Sequence, residues 1–97
     1  MSAFRAGLAY AEANQLSDAE HCLRLAVQCD PQIDRAWYNL GLLLQKNGDH
    51  QTAAKCYEAA VAQNPGFSEA LLNLGHALKA TGNEEAARQA WSKAVSA

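Results

Sequence analysis

Apolar residues fall along this chain in short stripes of helical period, and the stripes recur. From about Asp34 to Asn47 the residues Trp37, Leu40, Gly41 and Leu44 stand at i, i+3, i+4 and i+7, one face of an amphipathic helix. From His50 to Gln63 the stripe is Ala53, Tyr57, Ala60 and Val61. Between them Asn47-Gly48-Asp49 makes a turn cluster. After them Asn64-Pro65-Gly66 ends the second helix, because proline cannot continue a helix and biases the residue before it toward extended backbone. The unit is an αα-hairpin.

Sliding the chain by 34 residues superposes Gly7, Gly41 and Gly75, then Ala19, Ala53 and Ala87, Ala26, Ala60 and Ala94, and Val27, Val61 and Val95. Cys22 falls on Cys56, Pro31 on Pro65, Gly48 on Gly82 and Asn39 on Asn73. The expectation is one all-α domain over residues 1–97, with repeats of about 1–33, 34–67 and 68–97. Helices are predicted near 2–14, 17–29, 34–47, 50–63, 68–81 and 84–96. Ser17-Asp18-Ala19-Glu20 reads as a capping box, and Asn83-Glu84-Glu85 as an N-cap followed by two acids on the positive end of the helix dipole.

Gly41 and Gly75 lie inside helices, where glycine costs about 1 kcal/mol relative to alanine. The reason expected for them is close backbone approach, glycine on one helix facing Ala53 or Ala87 on the next, with Trp37 and Tyr57 filling the wider space on either side. The pattern resembles the tetratricopeptide repeat, or TPR, whose signature is Trp-x2-Leu-Gly-x2-Tyr, then Ala-x3-Phe, then Ala and Pro. The middle copy carries Trp37, Leu40, Gly41, Leu44 in place of tyrosine, Ala53, Tyr57 in place of phenylalanine, Ala60 and Pro65. The third has Leu71, Leu74, Gly75, Leu78, Ala87, Trp91 and Ala94, and the first Ala3, Ala6, Gly7, Tyr10, Ala19, Leu23, Ala26 and Pro31. The resemblance spans the whole chain and implies a right-handed α-solenoid of three hairpins.

On a helical wheel Arg35, Tyr38, Asn39, Leu42, Gln45 and Lys46 gather away from the hairpin's own apolar stripe. Stacking the hairpins lines up Arg5, Asn39 and Asn73, then Phe4, Tyr38 and Leu72, then Leu8, Leu42 and His76. The resemblance implies that this is a concave groove for an extended or helical peptide. The expected groove residues are Arg5, Leu8, Arg35, Tyr38, Asn39, Leu42, Gln45, Lys46, Asn73 and His76. Asn39 and Asn73 each offer a donor and an acceptor for a ligand backbone, and they resemble the asparagine ladder in the TPR superhelix of protein O-GlcNAc transferases. The carboxylate clamp of chaperone-binding TPR domains is not matched: its positions hold Phe4, Leu8, Asn39, Glu69 and Asn73, and Glu69 would repel a carboxylate.

Composition narrows the function further. Apolar types make up 49% and charged residues 19%, enough to bury a core. Eight Lys and Arg against ten Asp and Glu give a net charge of −2, the wrong sign for electrostatic binding of nucleic acid. No window approaches a membrane span and no secretory leader is legible, so three cysteines read as reduced thiols and a cytoplasmic setting is expected. His21 and Cys22 beside Cys29 invite a metal reading. Cys22 and Cys29, however, are separated by about 10.5 Å of helix axis, beyond the reach of one zinc or of a disulfide. Cys22 and Cys56 instead align with Ala90, a small apolar slot. No serine or cysteine is placed to form a dyad with His21, His50 or His76; Glu84 and Glu85 serve the helix dipole, and Trp37 and Trp91 are expected in the core. No catalytic residue, metal or cofactor is expected.

A solenoid repeat buries one face on its successor, so Trp91, Ala94 and Val95 are expected to leave an apolar flank open where a capping helix is lacking. Three readings follow: a non-catalytic adaptor or scaffold that binds a protein segment in the groove, a self-assembling structural unit or homo-oligomer joined through its last helix, or the substrate-recruiting part of a larger enzyme such as a glycosyltransferase.

Overall fold

The computed structural model describes residues 3–12 and 15–96. These form α1 (Ala3–Glu12), α2 (Leu16–Cys29), α3 (Asp34–Lys46), α4 (His50–Gln63), α5 (Ser68–Ala80) and α6 (Glu84–Ser96), with no strand among the described residues. Each helix packs on the one before and the one after it, giving three hairpins stacked in a right-handed α-solenoid of 38 × 24 × 19 Å. Two helices, α4 and α6, have the bounds the sequence predicts, and α2, α3 and α5 differ by a residue at one end; Ser2, Ala13 and Asn14 of the first predicted helix lie outside the described residues.

Backbone chemistry fixes the turn inside the second and third hairpins. After α3, Gly48 takes φ +84°, its N–H donates to Gln45 O at 3.0 Å, and Asp49 N–H donates to Leu44 O at 2.8 Å. This is a Schellman motif, which needs a left-handed residue that glycine supplies without a Cβ penalty. The same two bonds recur after α5, from Gly82 to Lys79 O and from Asn83 to Leu78 O, with Gly82 at φ +87°. The next helix then starts at once: the Asp49 side chain accepts from Thr52 N–H at 3.2 Å and caps α4.

The predicted capping box at Ser17 is not formed. Helix α2 starts one residue earlier, with Gln15 at its N-cap making no side-chain cap bond, so Ser17 already sits inside the first turn. Gln15 O instead accepts from Ala19 N–H as the first helical carbonyl.

The crossing within each hairpin also differs from expectation. A large side chain lies across the glycine: a Cβ on Gly41 would meet Tyr57 Cε1 at 2.7 Å, and Leu23 and Trp91 stand over Gly7 and Gly75 in the same way. The residue four positions after each alanine fills the space that the missing Cβ leaves, while Ala19, Ala53 and Ala87 are buried beside it. Trp37 and Trp91 are only half-buried, each donating its ring N–H to a carbonyl, Pro31 O at 2.8 Å and Leu72 O at 3.2 Å. An indole needs such an acceptor when its N–H leaves water. Ala36 and Leu43, off the predicted stripe, are fully buried, because α3 packs against the preceding hairpin as well as its own partner.

Candidate functional site

The outer face of α3 carries the predicted groove residues, and its neighbours divide them into groups. Leu8 of α1 and Leu42 of α3 line a cleft of about 350 Å³ that is floored by Leu23 and Leu43 and edged by Asn39, Lys46 and Glu12. Four of the predicted residues, Leu8, Asn39, Leu42 and Lys46, therefore meet in one place.

A second group lies at the junction of the middle and last hairpins. The Tyr38 ring packs on Tyr57 and Phe67, with centroids 5.9 and 5.0 Å away. The Arg35 guanidinium stands 5.5 Å over the other ring contact of Tyr38, Phe67. Asn73 Nδ2 donates to Tyr38 Oη at 3.0 Å, tying α5 to α3. Burial raises the Tyr38 hydroxyl above its ordinary 10.0, with the Glu69 charge adding to the rise and the Asn73 bond and Arg35 opposing it.

The remaining residues are placed differently. Gln45 is half-buried and accepts from Tyr57 O–H at 2.7 Å, so it anchors the core aromatic from the groove side. Asn39 Nδ2 donates to Arg35 O of its own helix at 2.8 Å. Each asparagine thus uses one of its two amide N–H groups within the protein, Asn39 on its own helix and Asn73 on Tyr38. His76 is exposed on α5 with its ring edge-on to Trp91 at 5.6 Å, and Arg5 is exposed on α1.

Glu12, Leu43 and Phe67 are site residues that the periodicity did not single out. Phe67 had a signal: it aligns with Ile33 at the 34-residue shift, immediately before each of the two helices, and is buried. Glu12 aligns with Lys46 and Ala80, a position with no common chemistry.

Among the cysteines, Cys56 is buried at 4% exposure, Cys22 half-buried and Cys29 exposed. Burial pushes the Cys56 thiol from its ordinary 9.0 up to about 11, with Arg24 opposing and Asp49 adding. Burial likewise holds the Tyr57 hydroxyl well above the usual tyrosine range. Among the described residues no group of three or more His, Cys, Asp or Glu is arranged to hold a metal ion, and no helix is long and apolar enough to cross a membrane.

Comparison with known proteins agrees with this architecture. No curated protein sequence matches the chain. Two crystal structures of MamA, each 28% identical, superpose with TM-scores of 0.91 and 0.90 over 98% of this chain. They match over 57% and 54% of their own length, so the chain spans little more than half of each. The second TPR of Spaghetti (RPAP3), solved with the HSP90 peptide SRMEEVD, shares the fold at 17% identity and a TM-score of 0.90, over 96% of this chain and 86% of that one. The tetratricopeptide repeat family model matches residues 4–54 and again 38–97. With every hairpin covered by that model and the glycine crossing repeated in each, the chain belongs to the tetratricopeptide repeat family, a fold of protein-interaction modules.

Proposed function

We propose that this chain is a non-catalytic adaptor that holds a peptide or protein segment on the face shared by α1, α3 and α5. The observation that carries the reading is the cleft of about 350 Å³ in which Leu8 and Leu42 of successive hairpins form an apolar seat beside Asn39, Lys46 and Glu12. An apolar side chain of the ligand enters the seat, and polar groups at its edge orient the backbone. A domain of the same fold was solved with a peptide, which supports the reading by analogy. A C-terminal carboxylate is not the favoured ligand, because Glu69 is exposed near Tyr38 and contributes negative potential there.

The test is selection of phage-displayed random linear peptides on the immobilised protein, followed by affinity measurement with variants checked by circular dichroism. Leu42→Glu is expected to abolish binding, and Lys55→Glu, on the opposite face beside Cys56, to leave it unchanged. Peptides that ignore Leu42→Glu, or recovery of none, would contradict the groove.

A second reading, self-association through the last hairpin, rests on one valine position. Val27 is 7% exposed where the next hairpin covers it, and Val95, its equivalent on α6, is 86% exposed. A following hairpin or a second copy would bury it as the interior stack buries Val27, a head-to-tail contact. Light scattering over a concentration series tests this: growth in mass that Val95→Glu removes supports it, and a monomer at every concentration sinks it.

A further inference from the structure

The chain holds a single Asn-Gly pair, Asn47-Gly48, and the fold sets it in the exposed turn between α3 and α4. That pair carries a reaction of its own. The backbone nitrogen of the glycine can attack the asparagine Cγ, since no Cβ on the glycine stands in the way. The new N–Cγ bond closes a five-membered succinimide as the Cγ–Nδ2 bond breaks, and ammonia leaves with the proton from the glycine nitrogen. Water then opens the ring at either carbonyl, giving aspartate or isoaspartate. The equivalent turn after α5 reads Thr81-Gly82-Asn83 and lacks this pair, so the turn itself does not demand asparagine at position 47.

The folded turn holds the two reacting atoms apart. Asn47 has ψ 1°, so about its Cα–C bond the Gly48 nitrogen eclipses the Asn47 nitrogen and points away from Cβ, whereas ring closure needs it eclipsed with Cβ. The Gly48 N–H is also engaged by Gln45 O at 3.0 Å, and the next peptide is tied down by the Asp49 N–H donating to Leu44 O at 2.8 Å. Rotating the Gly48 nitrogen into reach breaks both bonds, and with them the Schellman closure that ends α3. We propose that Asn47 is a self-modification site whose rate is set by opening of the α3–α4 turn. An isoaspartate there adds a methylene to the main chain inside the turn, so the two bonds cannot both re-form. An aspartate sets a carboxylate at the negative end of the α3 dipole. Reaction therefore leaves the turn of the middle hairpin permanently weaker.

The test is incubation of the full chain at mildly alkaline pH, folded and in guanidinium chloride, with the Asp and isoAsp forms of the peptide around position 47 followed by chromatography and mass spectrometry. Unfolding removes the guard, so Asn47 should react faster in denaturant by at least about tenfold, because reaction from an opened state tracks the population of that state. Asp49→Ala leaves the reacting pair intact and removes the cap that holds the start of α4. Its folded-state rate should rise about fivefold, the effect of one lost cap, while its rate in denaturant stays at the wild-type value. Hydrogen exchange of the Gly48 and Asp49 amides, followed in Asn47→Asp to keep the chain unreactive, should be slowed by folding in parallel with the deamidation. Product in the folded wild type should appear at Asn47 before any other asparagine. Equal rates for the folded and denatured wild type, a folded-state rate that Asp49→Ala does not change, or product at another asparagine first, overturns the proposal.

Discussion

Tyr57 lies across Gly41 so closely that a Cβ there would sit 2.7 Å from the ring, and the ring has nowhere to go. Tyr57 is fully buried and its hydroxyl is fixed by Gln45. Gly41→Ala is therefore expected to destabilise the domain by about 1–2 kcal/mol, overpacking of about 1–3 kcal/mol outweighing the better helix propensity of alanine. Gly75→Ala should cost less despite a closer contact, because Trp91 is half-buried at the end of the stack and can swing outward. Urea unfolding of the two variants checks the order.

Gly48 has the opposite reason for being glycine. Nothing lies within 4 Å of a Cβ built there, but its φ of +84° is left-handed. Gly48→Ala is expected to cost about 1 kcal/mol through backbone strain alone. Gly48→Asn, which tolerates that region, should cost less in the same urea measurement.

Capping separates Asp49 from Ser17. Asp49→Ala removes the acceptor of Thr52 N–H and should lower stability by about 1 kcal/mol. Ser17→Ala, at a position that caps nothing, should stay within about 0.5 kcal/mol of wild type. Thermal unfolding of both distinguishes the structure from the capping box that the sequence suggests.

The raised thiol of Cys56 makes stability depend on alkaline pH. Between its ordinary 9.0 and the elevated value of about 11, the folded state keeps a proton that the unfolded state has lost. Stability therefore falls as pH rises through that window, and the contribution is complete below pH 9. Tyr38 and Tyr57 extend the loss upward from about pH 10, their hydroxyls being raised in the same sense. Unfolding at a series of pH values should show this decline, and Cys56→Ala should flatten its first part. At pH 8 iodoacetamide should modify Cys29 before Cys22, and Cys56 last.

Much of the fold was legible where a helix carries its signals at both ends. For α4 these are Asn47-Gly48-Asp49 before and Asn64-Pro65 after, and its bounds match. The start of α2 lacked such clarity: Ser17 has the right residue type, yet the helix begins at Leu16. The glycine crossing was half legible. The 34-residue shift aligns the glycines, but the residue lying on them changes from Leu23 to Tyr57 to Trp91, so pairing by type pointed to the invariant alanines. Of the groove, the helical wheel found the face, and the Leu8 and Leu42 cleft lies on it. It could not find that Gln45 bonds Tyr57 or that Asn73 bonds Tyr38, because those depend on rotamers and on contact between helices distant in sequence.

The central claim is that ligand lies on the α1, α3 and α5 face. Nuclear magnetic resonance of 15N-labelled protein titrated with a selected peptide tests it most directly. The account predicts that the shifts concentrate on Leu8, Asn39, Leu42 and the Asn73 side-chain amide. Shifts confined instead to the cleft between α2 and α4, at Arg24, Lys55 and Cys56, would contradict it.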